Sequence, residues 1–235
     1  MIALHELAVG FRQASKARAL FTVSASIAAG GITAILGANG AGKSTCLKTI
    51  LGFASPLSGS VLIYGLTPHL YRTQATIGYL PESGSLPLGL TSDEFLRRVA
   101  LAAGLHGEAA AHAITAATHI AAIDFSTTRK IGALSKGMRQ RVGLAAALCP
   151  MPKVLLLDEP ESGLDPMQRT ALRQALTRLA GEGMVVLVSS HDFDAVCSYA
   201  SQILLVRGTR CDVIDDVTSY TPAELVRLIA TGGAT

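Results

Sequence analysis

The sequence has no tryptophan, few aromatic residues and few charged residues for its length. Aromatic side chains make up 5% and charged side chains 16% of its 235 residues, while hydrophobic side chains make up 49%. This apolar content excludes a disordered chain, and the length allows one large domain or two small ones with a full core. Much of the apolar content is alanine, and no stretch reaches the roughly 20 consecutive apolar residues of a membrane-spanning helix. The sequence therefore predicts a globular protein without a spanning segment.

A strong excess of charge and paired cysteines are also missing. The net charge is +3 at pH 7, too small and too dispersed to predict nucleic-acid binding. The four cysteines contain no CxxC pair, and their spacing fits no zinc site. The first residues, MIALHELAVGFRQ, have no signal-peptide layout. We therefore expect reduced thiols of a cytosolic protein at Cys46, Cys149, Cys197 and Cys211.

Short apolar runs alternate with helical patterns along the chain, which indicates an α/β fold with a mostly parallel sheet flanked by helices. Apolar runs without polar alternation are typical of strands buried on both faces of such a sheet. Four runs have this character, at residues 32–36, 154–157, 185–188 and 203–206. Shorter β-like runs before Gly37 and over residues 60–64 predict a small antiparallel sheet at one side.

Residues 86–150 are alanine-rich and predict a helical insertion between strands of the main sheet. Thr91 and Glu94 have the spacing of a capping box, which predicts a helix that begins there and ends near Gly104. A second helix is expected over residues 108–123.

Two helix starts outside that insertion follow the same rules. Asp165 precedes Pro166, which predicts an N-cap before proline at the first helical position, and Gly181 is expected to end this helix. A last short helix is predicted from Thr221, Pro222 and Glu224.

The strongest chemical signal is GANGAGKST at residues 37–45, which fits the pattern G-x-x-x-x-G-K-[ST] between a strand and a helix. Glycines let the backbone N–H groups point inward, and the helix N-terminus adds its positive dipole end, although an ordinary glycine-rich turn is the alternative. Lys43 would bind the β- and γ-phosphates of a nucleotide, and Ser44 would offer its hydroxyl to Mg²⁺. The candidate binding residues are Gly37, Ala38, Asn39, Gly40, Ala41, Gly42, Lys43, Ser44 and Thr45.

A second signal is the pair Asp158-Glu159, which ends the apolar run at residues 154–157. The segment at residues 37–45 is called the P-loop below. A carboxylate at the tip of a strand beside such a loop can hold Mg²⁺ through water or through Ser44. A second carboxylate next to it can orient or deprotonate an attacking water. Turn formation explains an isolated acidic pair equally well. In combination with the P-loop, the pair predicts a site that hydrolyses nucleotides.

A third motif, LSKGMRQR at residues 134–141, narrows the family. Together with the P-loop, LLLDEP, SGLD at residues 162–165 and His191, it resembles the nucleotide-binding subunit of ABC transporters. The resemblance covers nearly the whole chain, with the motifs in the family's order. LSKGM is similar to the family's LSGGQ signature, with Lys136 in place of a glycine and Met138 in place of the glutamine. Such variants resemble exporter-type members.

The resemblance implies a single nucleotide-binding domain over residues 1–235 with a P-loop NTPase (RecA-like) fold. Residues 1–85 and 151–235 would form the ATP-binding core with its antiparallel β subdomain, and residues 86–150 would form the helical signature subdomain. The implied cofactors are ATP and Mg²⁺, and the implied reaction is ATP hydrolysis.

The resemblance also implies catalytic roles. Glu159 would polarise the attacking water, while His191 and Lys43 would stabilise the phosphoryl group that is transferred. A lone histidine is more often structural than catalytic, so the role of His191 depends on the resemblance.

A dimer of two such domains is implied by the signature. Ser135 and Gly137 would meet the γ-phosphate held by the opposite subunit, and Asp165 would lie at the dimer seam. Two chains would then close head-to-tail around two ATP molecules. Considered alone, Ser135 begins a capped helix and Asp165 is a sufficient N-cap, so both readings stay open.

For two further roles that the resemblance implies, the sequence leaves alternatives open. The family has an aromatic residue before the P-loop that stacks on adenine; Phe11 is the best placed, Phe21 competes with it, and a core role is open for either. The family also has a glutamine near the helical insertion that touches Mg²⁺ and the membrane partner, and the sequence IGYLPES puts Glu82 there. A carboxylate can ligate Mg²⁺ but adds negative charge beside phosphates. GYLPE-type sequences resemble exporter subunits.

The implied function is that of the ATP-hydrolysing subunit of an ABC transporter on the cytoplasmic face of the cell membrane. Its partners would be a separate transmembrane permease and a second copy of this chain or a homologous ATPase subunit, with no nucleic acid. The alternatives are a soluble ABC ATPase acting on DNA or the ribosome, a nucleotide-gated interaction module without useful turnover, and a small-molecule kinase. The kinase would leave the LSKGM motif unexplained.

Overall fold

The computed structural model describes residues 1–13, 16–82, 86–123 and 129–221, together with residues 223, 224 and 227. Pro222, expected in a last short helix, lies outside these residues. The strands are β1 (Ile2–Gln13), β2 (Lys16–Ile27), β3 (Ile32–Leu36), β4 (Ser58–Ile63), β5 (Ile77–Leu80), β6 (Val154–Asp158), β7 (Val185–Ser190), β8 (Gln202–Arg207) and β9 (Arg210–Ile214). The helices are α1 (Lys43–Ile50), α2 (Pro68–Gln74), α3 (Ser92–Ala102), α4 (Gly107–Ile120), α5 (Lys136–Leu148), α6 (Pro166–Gly181) and α7 (Phe193–Cys197).

The strands form one curled sheet in the order β4-β1-β2-β9-β8-β3-β7-β6-β5. From β8 to β5 neighbouring strands are parallel, as the four apolar runs predicted. The antiparallel strands β4, β1 and β2 lie at one side, but they are not a separate sheet. Strand β2 continues the main sheet through one parallel pairing, Thr22 with Arg210 of β9. The α/β fold with a mostly parallel core is therefore confirmed, and its antiparallel part is fused to that core.

The central strands are buried on both faces because different elements cover each face. Ala34 and Leu36 of β3 pack into a cluster with α5 and α6, while Ile35 between them packs into a second cluster with α1, β1 and β2. The strands β6 and β7 alternate in the same way. A two-residue repeat that is apolar on both faces gives the unbroken apolar runs seen in the sequence.

The helix starts agree with the capping rules. The Thr91 side chain accepts a hydrogen bond from the Glu94 N–H, and the Glu94 carboxylate accepts one from the Thr91 N–H, so α3 begins with a complete capping box. Asp165 caps α6 ahead of Pro166. Helix α4 ends at Ile120, earlier than the expected residue 123, because Ala122 has a left-handed backbone with φ of 50°. None of the helices in the described ranges is both long enough and apolar enough to cross a bilayer.

Strand β5 is a short element that the sequence patterns did not predict. Strand β5 has only four residues and contains Gly78, which looks like an interruption in the sequence. In the structure, a Cβ at Gly78 would lie 2.5 Å from the Ala147 carbonyl oxygen at the end of α5. The glycine therefore allows α5 to pack closely on the edge strand, and it marks a contact rather than a break.

Candidate nucleotide-binding site

The P-loop connects β3 to α1 and wraps around the side chain of Lys43. The Lys43 ammonium group donates hydrogen bonds to the carbonyl oxygens of Gly37 at 2.9 Å and Ala38 at 3.2 Å. Gly40 and Gly42 have φ of 78° and 101°, a left-handed conformation that glycine adopts without strain. A Cβ at Gly42 would also lie 2.7 Å from Leu20 Cδ1, so the loop depends on glycine there for two reasons.

The N-terminus of α1 is suited to an anion. Its N-cap, Gly42, supplies no side-chain hydrogen bond, and its first turn contains no acidic residue. The first N–H groups of a helix have no partner within the helix, and the helix dipole makes this end positive. The arrangement fits phosphate groups, because these supply the oxygen acceptors and negative charge that the helix end lacks.

An open cavity of about 530 Å³ lies in front of the P-loop. That volume is within the range of small-molecule sites in proteins. The lining residues are Phe11, Arg18, Leu20, Asn39, Gly40, Gly42, Lys43, Ser44, Thr45, Glu82 and Glu159. The cavity thus brings together one end of the β1–β2 hairpin, the P-loop and the carboxylate that follows β6.

The acidic pair lies at the end of β6, behind the P-loop. The Asp158 side chain is buried, and its Oδ1 accepts a hydrogen bond of 2.5 Å from the Ser189 hydroxyl. Glu159 Oε1 lies 3.3 Å from the Lys43 ammonium nitrogen, and Glu159 Oε2 lies 2.9 Å from His191 Nδ1. The structure therefore brings Lys43, Glu159 and His191 into one cluster of contacts.

His191 follows β7 directly and begins the turn into α7. Asp192 caps α7 by accepting a hydrogen bond from the Ala195 N–H, which fixes the end of the turn. In the tautomer with its proton on Nδ1, His191 donates to Glu159. A second proton on Nε2 would let the same ring also donate to an anion such as a phosphoryl oxygen.

The oxygen groups near the P-loop fit Mg²⁺ in partnership with phosphate. Among the described residues, no three His, Cys, Asp or Glu side chains lie together as a metal site of their own. Mg²⁺ usually takes one or two protein oxygens and completes its shell with phosphate and water. Ser44 lines the cavity and Asp158 precedes Glu159, and both side chains carry oxygens of this kind. Burial and the charge of Asp158 raise the pKa of Tyr79 to about 12, so this neighbouring phenol stays protonated and does not add charge.

The signature residues lie apart from the P-loop cavity. Ser135 caps α5 by accepting a hydrogen bond from the Met138 N–H, and a Cβ at Gly137 would lie 3.5 Å from the carbonyl oxygen of Gly163. Asp165 accepts a hydrogen bond from the N–H of Gln168. Ser135 and Asp165 are exposed, Gly137 is buried against the segment that contains Asp165, and none of the three lines the cavity.

The two aromatic candidates occupy different environments. Phe11 is 39% exposed and lines the cavity, whereas Phe21 is 1% exposed and packs in the core beneath Gly42. Only Phe11 of the two is accessible to a ligand. Glu82 is exposed and lines the same cavity, so it faces the P-loop together with Glu159.

Sequence reasoning missed two polar residues of this site. Arg18 lies opposite Phe11 in the β1–β2 pair and also lines the cavity; only the register of the hairpin shows this. Ser189 bonds Asp158, and the sequence carries a signal for it, because Ser189 is a polar residue at the end of an otherwise apolar buried strand.

The four cysteines contribute no reactive thiolate to the site. All are free thiols; Cys46 and Cys149 are buried, and Cys197 and Cys211 are half-buried. Burial raises the pKa of each thiol, for Cys211 to about 12. Protonated thiols are poor nucleophiles and poor metal ligands, so the cysteines serve as packing groups.

Comparison with known proteins connects this geometry to one family. A family model described as "ABC transporter" matches residues 20–162. A probable multidrug ABC transporter ATP-binding protein of Escherichia coli, YbhF, is 36% identical over 192 residues, which are 81% of this chain and 33% of YbhF. The chain therefore spans about a third of the length of that relative.

Two further comparisons cover more of both chains. The manganese transport system ATP-binding protein MntB of Bacillus subtilis is 36% identical over 192 residues, 78% of this chain and 75% of MntB. The solved structure of an ATP-binding subunit of an ABC transporter has a TM-score of 0.80 and 26% identity, covering 100% of this chain and 95% of that one. The P-loop, the acidic pair and the segment up to residue 162 all lie within the part that the family model matches.

Proposed function

The chain belongs to the ABC transporter family, and on that premise we propose that it hydrolyses ATP and couples hydrolysis to transport through a separate membrane permease. One observation carries the proposal: Glu159 contacts both Lys43 of the P-loop and His191 at the end of β7. Phosphoryl transfer to water needs these three kinds of group: a cation that binds the phosphate, a base that accepts the proton of water, and a further polar group that contacts the phosphoryl oxygens.

The proposed chemistry is an in-line attack of water on the γ-phosphorus. Glu159 accepts the water proton as the new P–O bond forms, and the bond to the bridging oxygen of ADP breaks. Lys43 and His191 hold the negative charge of the phosphoryl oxygens, while the P-loop N–H groups bind the other phosphates. Ser44 and Asp158 would hold Mg²⁺, which supplies further charge neutralisation when bound, and Glu82 would add an oxygen ligand.

We also propose that ATP is enclosed by two copies of the chain, or by this chain and a homologous ATPase subunit. Ser135, Gly137 and Asp165 do not line the P-loop cavity of their own chain. The N-terminus of α5, which Ser135 caps, would therefore bind a phosphate only when another chain brings its nucleotide there. Phe11 would contact the adenine at the open side of the cavity.

The membrane partner would contact the surface around Glu82 and the helical block of residues 86–150. In the domain division that we propose, residues 1–85 and 151–235 form the ATP-binding core, and residues 86–150 form the signature subdomain. The protein would lie on the cytoplasmic face of the membrane, and the exporter-like sequences at Glu82 and LSKGM favour export.

The names of YbhF and MntB refer to different cargo, drugs and manganese. We therefore propose that the permease, and not this chain, selects the transported molecule. An ABC ATPase acting on DNA or the ribosome is not favoured, because these relatives are named for transport.

The test is ATP turnover of the Glu159→Gln variant in the assembled complex. Glutamine keeps the shape of the side chain but cannot accept the proton, so turnover should fall at least about 100-fold. Glu182→Gln, an exposed glutamate that follows α6 and lies outside the helical block, is the matched control and should keep wild-type turnover. Wild-type turnover in Glu159→Gln would remove Glu159 from the proposed role. Purification from membranes in mild detergent without any membrane protein would contradict the permease partner.

A further inference from the structure

Ser189 connects the two carboxylate residues at the end of β6. It is 0% exposed and lies on β7, directly opposite Asp158 in the parallel β6–β7 pair. Its hydroxyl donates a hydrogen bond to Asp158 Oδ1 at 2.5 Å and accepts one from the Glu159 N–H at 3.0 Å. One hydroxyl thus contacts the side chain of one carboxylate residue and the backbone of the next.

The strand pattern explains why these groups meet. Val185 and Leu187 of β7 face the core cluster that contains α1, and the two-residue repeat puts Ser189 on the same face. Val154 and Leu156 of β6 put Asp158 on that face as well. The carboxylate and the hydroxyl therefore lie beneath the helix that begins at the P-loop.

The backbone of Glu159 gives the second contact its importance. Glu159 has φ of 49°, a left-handed conformation that is strained for a residue with a Cβ. Such a conformation persists only when its surroundings hold it, and these residues cluster at functional sites. The bond from the Glu159 N–H to Ser189 is one such restraint, and the resulting direction of the chain brings the Glu159 carboxylate to Lys43 and His191.

We propose that Ser189 is a positioning residue for hydrolysis, which fixes the Asp158 carboxylate toward Mg²⁺ and the Glu159 carboxylate toward the attacking water. The inference rests on the proposed roles of Asp158 and Glu159. A buried hydroxyl that only stabilised the fold would leave turnover per folded molecule unchanged. Loss of a positioning hydroxyl would lower kcat and raise the concentration of Mg²⁺ that gives half-maximal activity. The KM for ATP would not change, because the P-loop stays intact.

The sharpest test compares Ser189→Thr with Ser189→Val. Both variants add nearly the same volume at this buried position, and they differ in the hydroxyl. We expect Val to lower kcat about tenfold relative to Thr, since a hydrogen bond to a charged group is lost. Val should also raise, several-fold, the Mg²⁺ concentration for half-maximal activity and the Kd for Mg²⁺ measured by calorimetry with a non-hydrolysable ATP analogue bound. Ser189→Ala, which adds no volume, should show the same direction of change.

A control variant separates positioning from general loss of a buried hydroxyl. Thr33→Val on the neighbouring strand β3 removes a hydroxyl that donates to Gln202 Oε1 at 2.8 Å, away from the site. It should lower the urea midpoint of unfolding without changing kcat per folded molecule. Equal kcat and Mg²⁺ dependence in Ser189→Thr and Ser189→Val would overturn the proposal. If Glu159→Gln is inactive while Ser189→Val is fully active, only this inference fails; if Glu159→Gln is fully active, the underlying roles fail first.

Discussion

The Lys43 ammonium nitrogen lies 3.3 Å from Oε1 of Glu159, so the P-loop cation and the carboxylate after β6 form an ion pair within the cavity. Both side chains are largely buried, which strengthens their attraction relative to a surface pair. We expect a nucleotide phosphate that enters the loop to compete with Glu159 for the same ammonium group. Binding would then change the partners of Glu159 at the same time as it fills the P-loop.

The first prediction concerns the charge of Lys43. Lys43→Met keeps the unbranched side chain, one atom shorter, but removes the cation, and we expect the Kd for Mg·ATP to rise at least about tenfold. Isothermal titration calorimetry measures this change. Lys48→Met, an exposed lysine near the end of the same helix, is the control and should bind like the wild type. An unchanged Kd in Lys43→Met would contradict its role as a phosphate ligand.

The second prediction concerns the aromatic residue at the cavity. Phe11→Ala should weaken ATP binding about tenfold, because stacking of a base on an aromatic ring contributes about 1–3 kcal/mol. Binding of inorganic triphosphate, which has no base, should stay the same in this variant. A parallel loss of affinity for both ligands would argue against stacking on adenine.

Phe21 gives the matched comparison, since it is an aromatic residue of the same hairpin with a different environment. Phe21→Leu changes the packing of the core beneath Gly42 and should lower the free energy of unfolding by about 1–2 kcal/mol. In the fraction that remains folded, we expect ATP affinity to change less than in Phe11→Ala. Titration with a fluorescent ATP analogue measures both variants on the same scale.

The positions of the core strands and the P-loop could be predicted because their signals are local. The run at residues 32–36 is apolar except for Thr33, and the P-loop follows it with its glycines and Lys43 at fixed spacing. The helix caps at Thr91 and Asp165 were also predictable, because each depends on residues three positions apart.

The remaining features depend on contacts between distant parts of the chain. Arg18 enters the cavity only because the β1–β2 hairpin puts it opposite Phe11. Ser189 reaches Asp158 through the pairing of two strands that are 31 residues apart in sequence. The single pairing of Thr22 with Arg210 fuses the antiparallel strands to the core, and no local pattern marks it.

The third prediction concerns Gly78, whose role only the packing shows. In Gly78→Ala the new Cβ would lie 2.5 Å from the Ala147 carbonyl oxygen and 2.9 Å from Pro152 Cγ. Because a backbone carbonyl cannot move aside cheaply, we expect a loss of about 1–3 kcal/mol in the free energy of unfolding. Urea denaturation measures this loss. Gly89→Ala adds the same methyl group where no atom lies within 4 Å, and a similar loss there would show that crowding at Gly78 is not the cause.

The last prediction concerns the segment between the acidic pair and Asp165. Arg173 donates two hydrogen bonds of 2.7 Å to the carboxylate of Glu161, and its guanidinium lies over the ring of Tyr199. The bonds to Glu161 raise the pKa of Arg173 and tie the turn after Glu159 to α6. Lysine at position 173 would keep the charge but could not make both bonds at once.

A double-mutant cycle with Glu161→Gln and Arg173→Lys measures this coupling. We expect a coupling energy of about 1 kcal/mol in urea unfolding, since the pair is forked and only partly exposed. The Asp93–Arg97 pair on α3 is exposed and should give a smaller coupling, below about 0.5 kcal/mol, in the same kind of cycle. Because Glu161 lies between Glu159 and Asp165, the Glu161→Gln variant should also lower ATP turnover in the assembled complex. Full turnover together with strong coupling would show that the fork stabilises the fold without contributing to hydrolysis.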